Sequence, residues 1–393
     1  MLLLSAALGQ GCIKGPATDR FQPLYDDFGE VSVAGNRTGH ATYVLDGFSA
    51  RWDKDPHRLN QFAVGMMMIN NDPAAQRVTA MGRLALKGGA FSEKDTYKYA
   101  IGYTLVRSKR IHFYHGEVPD IEIRRGQGER KIQVDLSSQG MALFPKDQIA
   151  VFLRGFYFDT SKSHLSGFPV KKMAVEIRDI LADNEGHLSF TAHMDLAAGD
   201  RNMYMHYGGE DLVTGKLFYT VAATRYGILT TQDHEYALRG AEPASKNDRN
   251  VVIQGAPGAY SLAFVGTQRF VLDWSDSAFL IRGARFQNRD FQYDPESGLL
   301  SFVCDAALDN DAGNKFIKNK HYVNPGKASA SFVLMQVNDK KGRATHGRFS
   351  GASDKTLVEH SALSFSRTFG TSAPLAPTAI PDSDTDTVDS PIP

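Results

Sequence analysis

Two stretches around the tryptophans combine an aromatic ring with polar and charged side chains. The first is Trp52-Asp-Lys-Asp-Pro-His-Arg58, and the second is the shorter Trp274-Ser-Asp276. Sugars present apolar C–H faces and polar rims, so a ring beside hydrogen-bonding groups suits them. The sequence therefore predicts a ligand-binding site that uses Trp52, Asp53, His57, Arg58 and Trp274. Packing of the two rings in a core or at a sheet edge is the alternative.

Two further clusters contain side chains that could bind a metal ion. In Asp309-Asn-Asp-Ala-Gly-Asn314, oxygen donors alternate around a glycine, as in Ca²⁺ loops, but the distal Glu of an EF-hand is missing. Asp309, Asp311 and Asn314 are candidate ligands of a structural Ca²⁺, turn chemistry explains them equally well, and no other cofactor is expected. In His112-Phe-Tyr-His115-Gly-Glu117, strand geometry would turn the two imidazoles to opposite faces, which favours a surface or loop position over a joint site.

No sequence motif points to a reaction. The chain contains no Gly-x-Ser-x-Gly elbow, His-Glu-x-x-His helix, Walker loop or Gly-x-Gly-x-x-Gly fingerprint. A catalytic triad can be assembled from distant positions, so a hydrolase on a β scaffold is kept as a third hypothesis, after the binding and assembly hypotheses given at the end of this subsection. The 44 basic and 44 acidic residues balance, which gives no net field that would attract nucleic acid. We therefore expect no enzyme and no nucleic-acid partner.

A repeated pattern predicts the elements that position these side chains. Leu153-Arg-Gly-Phe-Tyr-Phe158 returns as Ile281-Arg-Gly-Ala-Arg-Phe286 and, more faintly, as Leu45-Asp-Gly-Phe-Ser-Ala50. Short alternating runs between turn clusters are typical of β-sandwiches. The prediction is an all-β fold of tandem antiparallel β-sandwich domains. The units are 28–110, 111–240 and 241–370, between a signal or tether (1–27) and a disordered acidic tail (371–393). Residues 227–249 are more polar, and the best loop or boundary candidate is Ala241 to Asp248.

The N-terminus is a short apolar run that ends in small residues before a cysteine. This run, Met1-Leu-Leu-Leu-Ser-Ala-Ala-Leu-Gly-Gln-Gly-Cys12, resembles the end of a bacterial lipoprotein signal. The resemblance implies lipidation of Cys12 and a position at the outer membrane or cell surface of a bacterium. The alternatives are a periplasmic or secreted protein without lipid, and a cytosolic chain. Membrane contact is expected only through the lipid anchor, since no later stretch has 18 or more apolar residues.

The order of strands and glycines in the repeated unit resembles the H-type lectin module, a small antiparallel β-sandwich. The most similar stretch runs from Leu143-Phe-Pro-Lys146 through Leu153-Arg-Gly-Phe156 and Gly186-His-Leu-Ser-Phe190 to Tyr219-Thr-Val-Ala222. The resemblance implies a secreted sandwich that recognises sugars. This sequence shows no diagnostic sugar-binding signature of that family, so none of its binding residues are transferred.

Together these patterns predict a non-enzymatic exported surface protein that binds a glycan or a partner protein. The second hypothesis is a structural subunit of a surface or extracellular assembly, in which the chain forms a homo-oligomer. Exposed aromatic rings in a polar cleft would favour glycan binding, whereas an unpaired edge strand or a broad apolar patch would favour assembly. A buried cluster of His and carboxylates would favour an enzyme.

Overall fold

The computed structural model describes residues 27–34, 40–52, 59–72, 77–88, 97–124, 127–138, 141, 147–160, 170–183, 185–198, 212–238, 248–273, 281–310, 326–352 and 366–368. These residues form 19 β-strands, and no helix occurs among them. The prediction of an all-β fold is therefore confirmed. No helix in these ranges is long and apolar enough to cross a membrane.

The strands follow one another along the chain as β1 (Asp27–Ala34), β2 (Ala41–Trp52), β3 (Leu59–Asp72), β4 (Arg77–Gly88), β5 (Tyr97–Arg107), β6 (His112–Arg124), β7 (Gln127–Asp135), β8 (Gln148–Asp159), β9 (Val170–Ala182), β10 (His187–Ala198), β11 (Leu212–Thr224), β12 (Gly227–Leu238), β13 (Asp248–Gln254), β14 (Leu262–Asp273), β15 (Ile281–Asp294), β16 (Leu299–Asn310), β17 (Gly326–Val337), β18 (Arg343–Ala352) and β19 (Ser366–Thr368).

The described strands form two antiparallel sheets. Sheet A has 12 strands in the order β1-β4-β3-β8-β11-β6-β7-β10-β9-β14-β17-β12, and sheet B has seven in the order β13-β16-β15-β2-β5-β18-β19. Within each sheet, every pair of neighbouring described strands is antiparallel. Packed antiparallel sheets with buried inner faces are the architecture of a β-sandwich.

Hydrogen bonding between strands crosses the boundaries of the three predicted units. Strand β2 pairs with β15, and β5 pairs with β18, so segments near the two ends of the chain share sheet B. Strand β3 pairs with β8, and β9 pairs with β14, which joins all three units in sheet A. The units 28–110, 111–240 and 241–370 therefore do not correspond to separate sheets.

The repeated Gly pattern marks one structural feature, a β-bulge at the charged residue that precedes the glycine. Register shifts in the ladders leave Asp46 on β2, Arg154 on β8 and Arg282 on β15 without a direct cross-strand partner. A bulge inserts one extra residue into a strand and can redirect its side chain. In two copies that side chain is charged and buried, since Asp46 and Arg154 are each only 4% exposed.

The glycines after these bulges allow neighbouring backbones to approach closely. A Cβ on Gly47 would lie 2.2 Å from the carbonyl oxygen of Phe286, and Gly47 has a φ of 150°, a conformation that favours glycine. A Cβ on Gly65 would lie 2.3 Å from the Cα of Gly155. These contacts lie where β2 meets β15 and where β3 meets β8, so the repeat supplies the points at which distant segments join.

Two apolar clusters form most of the buried core. The larger cluster lies between the sheets and contains a chain of touching rings, including Phe48, Phe156, Phe270 and Phe286. The smaller cluster also contains residues of both sheets, and in it Phe152 of β8 packs against Phe264 of β14. Cys304 is fully buried in the larger cluster, as expected for a small apolar side chain.

Strand β12 occupies the first part of the polar region 227–249: residues 227–238 are paired with β17 along their whole length. The boundary candidate at Ala241 to Asp248 lies outside the described residues except for its last residue. An edge strand has one edge of its backbone unpaired and needs little apolar content. Its polar composition therefore reflects its position in the sheet.

Candidate binding surface

The sequence-predicted site residues are only partly covered by the structure. Trp52 is the last residue of β2, whereas Asp53, His57, Arg58 and Trp274 lie outside the described residues. Asp309 lies on β16, where it pairs with Gly283 of β15, and Asp311, Asn314 and Cys12 lie outside the description. The sugar site, the calcium site and lipidation at Cys12 all stay predictions.

Among the described side chains, Asp46, Thr104 and His346 form a hydrogen-bonded group of carboxylate, hydroxyl and imidazole, the combination found in catalytic triads. The Thr104 hydroxyl donates to the Asp46 carboxylate at 2.7 and 2.8 Å. The Nδ1 of His346 lies 2.6 Å from that hydroxyl oxygen and 3.1 Å from Asp46 Oδ2. Burial raises the pKa of Asp46, although hydrogen bonds from His346 and Thr104 act in the opposite direction. This is the buried His and carboxylate cluster that would favour an enzyme.

The surroundings of this group argue for a structural role. Thr104 is the only hydroxyl in the triad, is 1% exposed, and already donates its hydrogen to Asp46. The Phe291 ring stacks on His346 with centroids 4.0 Å apart and planes 2° from parallel. A nucleophile needs room for a substrate beside it. The hydroxyl has no such room, so the geometry supports a cross-link within sheet B.

A second buried charge, Arg154, is held by backbone oxygens. Its guanidinium donates to the carbonyl oxygens of Met66 at 2.7 Å and Gly116 at 3.2 Å, and more weakly to that of Tyr219 at 3.5 Å. Burial lowers the pKa of Arg154 to about 10. These contacts bridge β8 to β3, β6 and β11, and they leave Arg154 no freedom to bind a ligand.

His115 is half-buried near Arg154 and lies on a strand, β6, and not in a loop. Its Nε2 lies 2.8 Å from Thr42 Oγ1. Burial and, to a smaller extent, the Arg154 charge lower the pKa of His115 to about 3, so the ring is neutral at physiological pH. His112 on the same strand is exposed. The two imidazoles do not form a joint site.

The turn between β9 and β10 brings three potential metal ligands together. Donor atoms of Asp183, Glu185 and His187 lie within 4.8 Å of one another, and all three side chains are exposed. Asp183 accepts the backbone N–H groups of Glu185 and His187 through Oδ1, and Oδ2 lies 2.9 Å from His187 Nδ1. Ordinary turn chemistry, in which an Asp side chain accepts backbone N–H groups two to four residues on, accounts for these contacts.

A row of polar side chains crosses the outer face of sheet A. Successive register partners place one residue from each of six neighbouring strands in line, in the order Glu129, His193, Glu176, Arg269, Ser331 and Asp233. The adjacent residues Met194, Val175, Phe270 and Phe332 belong to the larger core. Because side chains alternate along a strand, the row points away from that core.

Charged side chains in this row lie close to one another across neighbouring strands. Arg269 lies 3.9 Å from Glu176 and 3.8 Å from Asp233. His193 lies 3.8 Å from Glu129 and 2.8 Å from Asp195, an acid two residues further along β10. Burial raises the pKa of Asp195, but hydrogen bonds from His193 and Lys172 outweigh it and leave the pKa lowered. Arg269 thus lies between two acids of the row, Glu176 and Asp233.

The row ends at β12, a free edge of sheet A. Strand β12 pairs with β17 on one side, and no described strand pairs with its other side. Sequence reasoning missed this element, although Ile228, Thr230 and Thr231 are strand-favouring residues. Comparisons with known proteins add no further guide: no protein-family model matches the chain, and no curated protein sequence is significantly similar to it.

Proposed function

We propose that this is a non-enzymatic, exported surface protein that binds a partner protein or a glycan. The observation that carries the proposal is the free β12 edge beside the alternating charges on the outer face of sheet A. Sheet edges accept extended segments through main-chain hydrogen bonds, and side-chain charges select among them. Lipid attachment at Cys12 belongs to the same proposal and rests on the signal-like N-terminus.

Binding would occur on a rigid surface. The strands under the row bury their alternate residues in the larger core, so its charges are held in register before a ligand arrives. Preorganised contacts lose less conformational entropy on association. A glycan remains the second ligand class, because the Trp52 stretch offers the aromatic and polar groups that sugar recognition needs.

The direct test presents full-length protein to a glycan array and to a displayed library of random peptides. Calcium and chelator are compared on matched samples. A saturable ligand whose affinity falls in the charge-reversed variant Arg269→Glu, without loss of thermal stability, would support the proposal. Lys109→Glu, at an exposed cation in the turn after β5, serves as the matched control. Failure of both libraries to yield any saturable ligand would contradict the binding function.

The alternative is a structural subunit of a surface assembly. Strand β13 favours it, because β13 is one of the two edge strands of sheet B among the described strands and carries the exposed Val252. Unpaired apolar edges promote association between copies. Sedimentation over a hundredfold range of concentration would separate the two functions: a concentration-dependent oligomer abolished by Val252→Lys would favour assembly, and a monomer throughout would remove it.

A further inference from the structure

The edge of β12 is long and regular. Its ladder with β17 runs from Gly227 opposite Val337 to Leu238 opposite Gly326 without a register shift, whereas the neighbouring ladder between β14 and β17 is interrupted near Gln268. An unbroken edge strand presents outward N–H and C=O groups at regular spacing. The backbone of β12 is therefore suited to pairing with another extended segment.

The two faces of β12 differ in what their side chains contact. On the inner face, the His234 ring lies against Phe332 with centroids 6.1 Å apart. Leu229, on the other face, packs against the smaller core. These contacts hold the strand in place, and the exposed residues Thr231, Asp233 and Glu235 occupy alternate positions on the outer face.

The outer face of β12 carries two acidic groups at the ends of two rows. Asp233 ends the row in which Arg269 lies 3.8 Å away, and its side chain is 67% exposed. Glu235 ends the next row, opposite Ser329, which in turn lies opposite Val271. That second row itself contains no cation, since its members beside Glu235 are Ser329 and Val271. A strand added to β12 would meet Asp233 and Glu235 at alternate positions.

This charge pattern separates a foreign partner from a second copy of the chain. Pairing of two β12 edges would gather four carboxylates, Asp233 and Glu235 from each copy, along one seam. Like charges that face each other across strands are destabilising, and opposite charges are stabilising. Charged residues on edge strands commonly prevent self-pairing in this way. The same two acids would attract an added strand that carries cations.

We propose that an extended segment of a partner protein, with Lys or Arg at two alternate positions, adds to β12 and places those cations opposite Asp233 and Glu235. The inference rests on the proposed binding function and names the chemistry of the partner. Main-chain pairing supplies affinity over the length of β12, and the two acids select the segment. The alternation Glu176, Arg269, Asp233 is continued by a cation on the added strand.

The test uses full-length protein and three synthetic 12-residue peptides of Thr and Val. One peptide carries Lys at two alternate central positions, the second carries Glu there, and the third has the same two Lys residues at adjacent positions, on opposite faces. We expect the alternate-Lys peptide to bind in a saturable way, measured by fluorescence anisotropy at low salt, and the other two to bind at least about fivefold more weakly. Amide hydrogen exchange should show new protection in β12 at alternate residues.

Substitutions at Asp233 and Glu235 test whether these two acids select the peptide. Glu235→Lys should weaken binding of the alternate-Lys peptide at least about fivefold, and Asp233→Lys with Glu235→Lys should transfer the preference to the Glu peptide. Glu296→Lys, at an exposed acid in the β15–β16 turn, should leave binding unchanged. Both substituted β12 acids are exposed, so thermal unfolding checks that each variant retains its fold.

Three outcomes would overturn the proposal: equal affinity for the Lys and Glu peptides, binding without protection of β12 amides, or a dimer that buries β12. A library ligand that ignores Glu235→Lys would refute this inference and leave the proposed binding function in place. Absence of any library ligand would refute both.

Discussion

The two buried charges at repeated bulges, Asp46 in sheet B and Arg154 in sheet A, occupy the same position of the repeat and are stabilised in opposite ways. Asp46 accepts from the side chains of Thr104 and His346. Arg154 donates to backbone carbonyls, chiefly those of Met66 and Gly116. The repeat therefore keeps a backbone geometry and leaves the sign of the buried charge open.

The difference matters because side-chain partners titrate and backbone partners do not. A cluster of carboxylate, imidazole and hydroxyl can rearrange its protons as the pH changes. A guanidinium held by carbonyls stays charged and has fixed partners. We expect Arg154 itself to contribute rigidity without titrating, and Asp46 to contribute a pH dependence.

Among the substitutions that test this comparison, Arg154→Met should cause the largest loss of unfolding free energy. The variant removes the guanidinium that donates to carbonyl oxygens of three strands, and breaking such a charged network costs about 3 to 5 kcal/mol. Urea unfolding at pH 7 measures the loss. Arg124→Met, which removes an exposed guanidinium paired with Glu122, is the control and should cost under about 0.5 kcal/mol. Similar losses in the two variants would contradict the role of Arg154.

Gly47→Ala and Gly155→Ala compare the glycines that follow the two bulges. A Cβ at Gly47 meets the Phe286 carbonyl oxygen at 2.2 Å, whereas a Cβ at Gly155 meets the Val64 oxygen at 2.8 Å. Overpacking against backbone costs about 1 to 3 kcal/mol. We expect Gly47→Ala to reach or exceed the upper value and Gly155→Ala to stay near the lower one. Thermal unfolding that places them in the reverse order would refute the close-approach argument.

The pH dependence of the Arg154 region should come from His115. Its pKa of about 3 in the folded protein lies below the ordinary value of 6.5, so its stability contribution is present above pH 6.5 and is lost as the pH falls toward 3. Between pH 7 and pH 5 the loss amounts to about 2 kcal/mol. His115→Gln should remove that part of the decline, as measured by urea unfolding at both pH values. A variant that declines as steeply as the parent would argue against a neutral buried ring.

Asp46→Asn should give the smallest change at neutral pH and a trend of opposite sign. Burial raises the pKa of Asp46 in the folded protein, so its contribution to stability is greatest in acid and is lost as the pH rises through the raised pKa. The amide removes a buried charge and weakens hydrogen bonds, so the net change at pH 7 should stay within about 1 kcal/mol. Melting curves from pH 4 to 7 should fall less for the variant; a drop above about 3 kcal/mol at pH 7 would contradict this account.

The sequence predicted the class of fold because alternation and turn residues are local signals. The repeated stretches Leu153 to Phe158 and Ile281 to Phe286 lie within β8 and β15. The pairing of β2 with β15 could not be predicted, because it depends on contacts between residues more than two hundred positions apart. The repeated Arg-Gly and Asp-Gly pairs were visible, but their meaning as bulges became clear only from the registers.

The candidate surface was harder to predict than the fold. The residues of the charged row lie on six strands, and only the registers bring Glu129 and Asp233 into one line. Strand β12 was missed because an edge strand can be polar, which gives it the composition of a loop. The tryptophans that drew attention in the sequence lie at or beyond the margins of the described strands.

The sharing of sheet B between the two ends of the chain has a consequence for biosynthesis. Strand β5 needs residues 343–352 as its neighbour, and β2 needs residues 283–287. Strands β2 and β5 can pair with each other early, but most of the chain must leave the ribosome before each acquires its second partner. Such non-local topologies fold slowly. The two edges of the β2–β5 pair therefore stay open until synthesis of the chain is nearly complete.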